Sequence, residues 1–263
     1  MKQGDHEAIT EVERQTWNRS AAIYLEYATK ITDTALSILL EACRLTHGSR
    51  ALDAACGPGH VANMMAQTGA CVTGVDLAPE MIKLAEELYP SVTFREANAE
   101  QLPFEDSTFD VALINYGIHH FARPDVACAE IRRVLKQEGR FVFAAPKDQH
   151  GFGAFIEAIN AHHTLDDLPH GPIYLDADQA TYEKLLSDSG FEQFSVELHQ
   201  LPLKLDSLEP ILVCGWSICD LDDLPQTTQD KISASTHEKA APFKTADGYC
   251  FPDTVFVGVA LKG

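Results

Sequence analysis

The stretch Ala51-Leu52-Asp53-Ala54-Ala55-Cys56-Gly57-Pro58-Gly59-His60, followed by Val75-Asp76-Leu77, decides the reading of this 263-residue chain. Its order is that of a buried strand, a glycine-rich turn, a helix, and a second strand ending on a carboxylate. Glycine lacks a Cβ and adopts positive φ freely, so such a turn lets the backbone approach a ligand closely. The helix that follows points its free N–H groups and positive dipole end at the same place. Asp76, at the tip of the second strand, can accept both hydroxyls of a ribose. An adenosine-containing cofactor fits, and two compete. Gly57-Pro58-Gly59-His60-Val61-Ala62 with Asp76 satisfies the nicotinamide-dinucleotide pattern, G-x-G-x-x-G/A with an acidic residue about 20 positions on. S-adenosylmethionine needs the same ribose clamp but carries an ammonium and a sulfonium in place of a pyrophosphate. Asp53, just before the turn, repels a pyrophosphate and suits a cation, which favours S-adenosylmethionine.

Further blocks follow in order. Thr73-Gly74-Val75-Asp76-Leu77-Ala78-Pro79-Glu80-Met81 continues the second strand into a helix. Glu96-Ala97-Asn98-Ala99-Glu100-Gln101-Leu102-Pro103-Phe104 follows a third strand. Phe109-Asp110-Val111-Ala112-Leu113 leads to Asn115-Tyr116-Gly117-Ile118-His119-His120, and Glu130–Arg140 reads as a helix and turn before a fifth strand. Together, over about residues 50 to 146, these blocks resemble the class I S-adenosylmethionine-dependent methyltransferases, in the ubiquinone/menaquinone-biosynthesis-like (type 11) branch. The resemblance implies a Rossmann-like α/β fold: a doubly wound, mostly parallel seven-stranded sheet with an antiparallel last strand and a helical cap. It implies S-adenosyl-L-methionine as cofactor, with S-adenosyl-L-homocysteine as product. The cofactor-binding set it implies is Tyr24, Asp53, Ala55, Gly57, Gly59, Asp76, Leu77, Met81, Asn98, Ala99, Glu100 and Asn115. Two positions depart from the family pattern. Ala55 replaces a glycine, which is tolerable if the position keeps negative φ. Asn98 stands where aspartate is usual, and its carbonyl oxygen can still pair with the adenine amino group.

The composition narrows the partners. The formal net charge is −19, and residues beyond 160 carry 6 basic against 17 acidic side chains. A nucleic-acid binder needs a basic footprint to displace counterions from phosphates, so neither DNA nor RNA is expected. An acidic surface also disfavours anionic membranes and polyphosphate substrates. Asn115-Tyr116 runs into Gly117-Ile118 without the prolines of the N-P-P-[YF] signature of nucleic-acid amino-methylating enzymes. There is no apolar run of 18 residues and the N-terminus lacks a signal-peptide core. The seven cysteines are scattered without a C-x-x-C pair, which argues for reduced thiols in a cytoplasmic protein. With no H-x-x-x-H spacing, no metal site is expected. A monomer or homodimer acting on a small molecule is the expectation.

The periodicities place an amphipathic helix at 11–29, with Trp17, Ala21, Tyr24 and Leu25 at helical spacing. A second helix at 33–46 stops at His47-Gly48, where glycine suits a left-handed cap. Strands at 50–55, 71–75, 92–96, 109–115 and 139–145 then alternate with helices at 59–68, 79–88 and 124–136, the order of a doubly wound parallel sheet. Asp53, Asp76, Asn98 and Asn115 all fall at strand ends, the rim where such sheets bind ligands. Beyond lie a helix from Gly151 to His162, the loop Leu168-Pro169-His170-Gly171-Pro172, a helix at 177–189, a sixth strand over Phe191–Leu205, and a last strand over Phe251–Leu261. The expected domains are an N-terminal helical lid (1–48), the cofactor-binding core (49–205), a helical insertion or cap (206–246), and the final core strand (247–263).

Methyl transfer is an in-line displacement, so alignment and exclusion of water carry most of the catalysis. A neutral acceptor also benefits from a base, and imidazole is suited to that near neutral pH. His119 and His120 follow the fourth strand, near the transferred methyl, and are the candidate catalytic residues, one of them as general base; the alternative is that His120 packs or hydrogen-bonds a backbone group, with Phe121 sealing the pocket floor. Trp17 reads as a hydrophobic staple, and His150, His170 and Tyr174 as loop residues. Of the adjacent pair His162 and His163, only one can face a site. The expected reaction is methylation, at oxygen before nitrogen or carbon, of a small, largely apolar or aromatic metabolite. A cyclase or isomerase on the same scaffold and a nicotinamide oxidoreductase are the alternatives.

Overall fold

The computed structural model describes residues 3–163, 177–221 and 223–263; the expected loop at 168–172 and Tyr174 lie outside the described residues. The chain opens on α1 (Gln3–Ile23), a π-helical turn (Tyr24–Ala28), α2 (Thr29–Thr32), a 3₁₀ turn (Asp33–Ala35) and α3 (Leu36–Cys43). The two helices expected here are therefore joined. The π turn widens the helix at Tyr24, and the Thr29 hydroxyl bonds back to the Leu25 carbonyl at 2.8 Å. Such π segments recur at functional sites. The cap expected at Gly48 falls instead on Arg44, which adopts the left-handed conformation at φ 50° and donates its N–H to the Glu41 carbonyl. Gly48, at φ +83°, turns the chain towards the first strand, with its N–H on the Gly69 carbonyl.

The central elements are β1 (Arg50–Ala54), α4 (His60–Ala66), β2 (Cys71–Asp76), α5 (Pro79–Leu88), β3 (Thr93–Glu96), β4 (Phe109–Asn115), α6 (Pro124–Val134) and β5 (Leu135–Asp148). Then come α7 (His150–His162), α8 (Gln179–Asp188), β6 (Gln193–Gln200), β7 (Leu203–Leu205), α9 (Glu209–Cys219), α10 (Gln226–Ala240), β8 (Lys244–Thr245), β9 (Gly248–Phe251) and β10 (Thr254–Leu261). The main sheet has seven strands in the order β3-β2-β1-β4-β5-β10-β6. β1 to β5 run parallel, and β10 runs antiparallel to both β5 and β6. The doubly wound sheet with an antiparallel last strand is thus observed, and its order reverses between β1 and β4. The central parallel strands β1 and β4 are buried on both faces, as near-continuous apolar runs such as Val111–Ile114 require.

Two strands expected to be continuous are broken. Phe191–Leu205 divides into β6 and β7, and the closing run divides into β9 and β10. Both breaks fall at a proline, Pro202 and Pro252, which has no N–H to give a ladder. Past the breaks, β7, β9 and β8 form a separate three-stranded antiparallel sheet. Packing therefore divides the chain elsewhere than at the expected 205/206 and 246/247 boundaries. β7 and β9 belong with the cap, and so does α7, whose Phe155 and Ile159 share an apolar cluster with Ile211 and Cys214 of α9, Ile232 of α10 and Phe251 of β9. Gly215 of α9 lets Phe155 in, since a Cβ there would stand 2.3 Å from the ring. Ala28 and Ile31 join the same cluster, tying the N-terminal helices to the cap. None of the described helices is long and apolar enough to cross a membrane.

Candidate functional site

At the sheet reversal, two adjacent strands end on left-handed residues that are not glycine. Ala55 follows β1 at φ 57°, and Tyr116 follows β4 at φ 54°. Ala55 thus departs from the expected negative φ. For residues with a side chain this conformation costs roughly 1–2 kcal/mol, and it clusters where function over-determines the backbone. The two turns leave the strand ends apart and open a cleft of about 710 Å³. Gly57 and Gly59 complete the first turn at φ 51° and 82°, and α4 starts directly behind it.

Most of the expected cofactor residues line this cleft: Tyr24, Ala55, Gly57, Asp76, Leu77, Met81, Asn98, Ala99, Glu100 and Asn115, together with His120. Asp76, almost fully buried, is anchored by its own turn. The Gly57 N–H donates to Oδ2 at 2.8 Å and the Ala78 N–H to Oδ1 at 2.9 Å, so each oxygen keeps a lone pair for a ligand. Burial pushes the pKa of this carboxyl up from its usual range, opposed by those backbone donors. Asn98 accepts the Glu100 N–H on Oδ1 at 2.8 Å. Glu100 gives both carboxylate oxygens to Arg123, to its backbone N–H and its Nε at 2.8 Å each. Its side chain thus braces the start of α6 while the residue borders the cleft. The same loop is stapled by Arg133, which donates to the Leu102 and Phe104 carbonyls at 3.0 and 2.7 Å.

Three expected residues stand elsewhere. Asp53 does not border the cleft; it is 1 % exposed with Oδ2 unpartnered. Desolvation raises its pKa to about 7, countered by His60. His60 in turn reaches Asp33 through Nε2 at 3.0 Å, so Asp53 is within electrostatic reach of the His60–Asp33 pair rather than at the cleft. Gly59 serves packing: a Cβ there would stand 2.5 Å from the Phe94 ring. His119 lines a second cavity instead. The space beside the cleft, about 610 Å³, is bordered by Ala28, Ile31, Thr32, His119, Gln149, Phe152, Cys214 and Ile218. Trp17, Tyr24, Tyr116 and His120 border both spaces.

Burial and the neighbouring His120 push the His119 pKa well below its usual value, so its imidazole is neutral near pH 7. The two rings lie 4.2 Å apart between centroids. Trp17, expected only as a staple, packs edge-on against His120 and Tyr24. Thr10, Glu13, Tyr116, Gly117, Phe121 and Ala122 also border the cleft, and of these only Phe121 was anticipated. A signal for α1 was present: residues 10, 13, 17 and 24 recur at i, i+3, i+7 and i+14, one stripe of a helix. His162 and His163 border neither of these two spaces.

The side chains present fit S-adenosyl-L-methionine. Asp76 carries free lone pairs for ribose hydroxyls, and Met81 and Leu77 give an apolar wall for adenine. Asn115 donates Nδ2 to the Thr32 carbonyl at 3.2 Å and leaves Oδ1 as a buried acceptor without a partner, suited to an ammonium.

Comparison with known proteins points the same way. A family model described as "Methyltransferase domain", of the type 11 branch, matches residues 52–143. The uncharacterized methyltransferase YcgJ of Bacillus subtilis (strain 168) is 31% identical over 183 residues, 66% of this chain and 69% of YcgJ. Demethylmenaquinone methyltransferase of Chlorobaculum parvum is 43% identical over 89 residues, 34% of this chain and 37% of that protein. The crystal structure of YcgJ superposes with a TM-score of 0.62 at 22% identity, covering 87% of this chain and 97% of that one. The Haemonchus contortus phosphoethanolamine N-methyltransferase 2 structure in complex with S-adenosyl-L-methionine shares the fold at a TM-score of 0.57 and 21% identity, covering 86% of this chain and 52% of that one. The chain therefore belongs to the type 11 family of S-adenosylmethionine-dependent methyltransferases, and its cofactor is S-adenosyl-L-methionine.

Proposed function

We propose that the protein methylates a hydroxyl oxygen of a small, uncharged, largely apolar or aromatic molecule seated in the second cavity. The observation that carries this reading is the lining of that cavity. Among the described residues it holds no carboxylate, lysine or arginine, while Ile31, Phe152, Cys214 and Ile218 present apolar surface. Burying an unpaired charge there is costly, which disfavours phosphorylated, carboxylate and ammonium acceptors. Thr32, Gln149, Tyr116 and the two histidines offer the few polar contacts that orient an uncharged ligand.

The proposed cofactor contacts are those named above: Asp76 at the ribose, Met81, Leu77, Asn98 and Ala99 around the adenine, and Asn115, Tyr24 and the Gly57 turn around the methionine portion. The bound cofactor supplies a sulfonium methyl, lost with the sulfur–carbon electron pair staying on sulfur. His120 borders both spaces, and its Nε2 has no protein partner among the described residues, so it is the proposed base for the acceptor hydroxyl proton. Neutral His119 orients the acceptor from the second cavity. The N-terminal helices and the cap (α7, α9, α10 and the small sheet) are proposed to enclose the acceptor and exclude water.

The test is S-adenosylhomocysteine release across a panel of uncharged phenols and alcohols and their phosphorylated or carboxylated analogues. Turnover confined to uncharged acceptors is expected. Better turnover on the charged analogues, or tight cofactor binding with none on any acceptor, would overturn the proposal.

A further inference from the structure

We infer that Glu13, on the first helix, positions His120 for proton abstraction by taking its Nδ1 proton, which leaves the Nε2 lone pair for the acceptor. This rests on the reading of His120 as the base. Glu13 Oε2 lies 3.3 Å from His120 Nδ1, with the two side chains 21% and 15% exposed. Nδ1 is buried and has no aligned hydrogen bond, so the carboxylate is its nearest remaining partner; such bonds are often loose in an unliganded site and tighten when it fills. The same Oε2 accepts the Trp17 indole N–H at 2.9 Å. Glu13 and Trp17 stand one helical turn apart, and the Trp17 ring meets His120 edge-on with centroids 4.9 Å apart. The carboxylate is therefore held in place by one neighbour while facing the other.

The chemistry follows from the two ring nitrogens. A neutral imidazole has one donor and one acceptor nitrogen, and a carboxylate at Nδ1 selects the tautomer with the proton there. Nε2 is then the acceptor. As the acceptor oxygen bonds to the methyl carbon and the sulfur–carbon bond breaks, the hydroxyl proton passes to Nε2, and the imidazolium so formed is stabilised by Glu13. The base is thus assembled from two distant parts of the chain, the strand end after β4 and the helix α1, and is complete only with α1 docked.

The first test needs no acceptor. In the full chain labelled with ¹⁵N-histidine, two-bond ¹⁵N–¹H correlations report the tautomer of each ring, with His120 assigned by its absence in His120→Asn. Under alkaline conditions, His120 is expected as the Nδ1–H tautomer in the parent protein. It should revert to Nε2–H in Glu13→Ala, stay Nδ1–H in Glu13→Gln, whose amide oxygen still accepts, and stay Nδ1–H in Trp17→Phe. An Nε2–H ring in the parent protein, or one tautomer in both parent and Glu13→Ala, would overturn the inference.

The second test is kinetic, using S-adenosylhomocysteine release with the best phenol of the panel. Glu13→Ala should lower kcat about tenfold or more, beyond any change in cofactor Kd, and should cost nothing further in a His120→Ala background. Full turnover by His120→Ala would sink the base reading itself. Loss in His120→Ala without loss in Glu13→Ala would sink only the role of Glu13.

Discussion

The indole of Trp17 stands at 87° to the imidazole of His120, with ring centroids 4.9 Å apart, and this contact is the wall where the cofactor cleft meets the second cavity. An edge-to-face pair of this kind contributes about 0.5–1.5 kcal/mol beyond its buried area. Trp17→Ala should therefore raise both the cofactor Kd and the acceptor KM by about two- to tenfold, and Trp17→Phe should recover most of the loss. Titration calorimetry and steady-state kinetics measure the two sides separately; a change confined to one would show that Trp17 serves a single cavity.

Asp76 connects the glycine turn to the second strand end through the Gly57 and Ala78 N–H groups. Asp76→Ala should weaken S-adenosylmethionine binding by roughly 1.5–3 kcal/mol for each charged hydrogen bond lost, about a tenfold to hundredfold rise in Kd. It should also lower Tm, because two backbone donors lose their acceptor. An unchanged Kd would place the ribose elsewhere.

Ala55, at φ 57°, holds a conformation that glycine adopts without strain. Relief of roughly 1–2 kcal/mol is partly offset by the greater chain entropy of glycine, about 0.5–1 kcal/mol. Ala55→Gly should then stabilise the protein slightly, raising Tm by up to about 2–4 °C. A drop in thermal unfolding temperature would mean that the alanine methyl contributes packing worth more than the strain.

Asp53 carries a pKa raised by desolvation from 3.8 to about 7. The native state thus binds a proton that the unfolded state releases across this window, so the contribution of Asp53 to stability falls as pH rises from about 4 to 7 and is flat above. Asp53→Asn removes that dependence. The stability of the parent protein relative to Asp53→Asn, read from denaturant unfolding, should decline with rising pH across that interval. A difference constant with pH would mean that His60 keeps the carboxylate ionised throughout.

Ile218 borders the second cavity and not the cofactor cleft. Ile218→Phe narrows that space, so acceptor KM should rise for bulky phenols more than for small ones while cofactor Kd stays put. Overpacking is expected to cost about 1–3 kcal/mol of stability at most. A rise in cofactor Kd with unchanged acceptor preference would dissociate this cavity from the acceptor.

Residues 50–146 were legible because local chemistry and global fold agree there. Strand periodicity, the turn at Gly57 and Gly59, the proline opening α5 and the carboxylate of Asp76 each carry their meaning within a few positions. The exceptions are instructive. Asp53 and Gly59 sit inside the motif yet face the packing beneath it, because alternate residues of a strand point to opposite faces and side-chain direction in a tight turn depends on φ. Pro202 and Pro252 were visible in the sequence. Their joint effect, which moves β7 and β9 into a second sheet, depends on β6 and β10 being neighbours.

By itself the sequence determined the α/β alternation, the cofactor pattern and the acidic, motif-poor surface, since these follow from period, turn residues and charge along the chain. The tertiary structure alone decided that His120 borders the cleft while its neighbour His119 faces the second cavity, that α1 brings Glu13 and Trp17 against His120, and that among the described residues the second cavity has no carboxylate, lysine or arginine in its wall. Those relations join residues about a hundred positions apart or more, and no local propensity encodes them; they arise from how the first helix, the β4 strand end and the cap pack around one space.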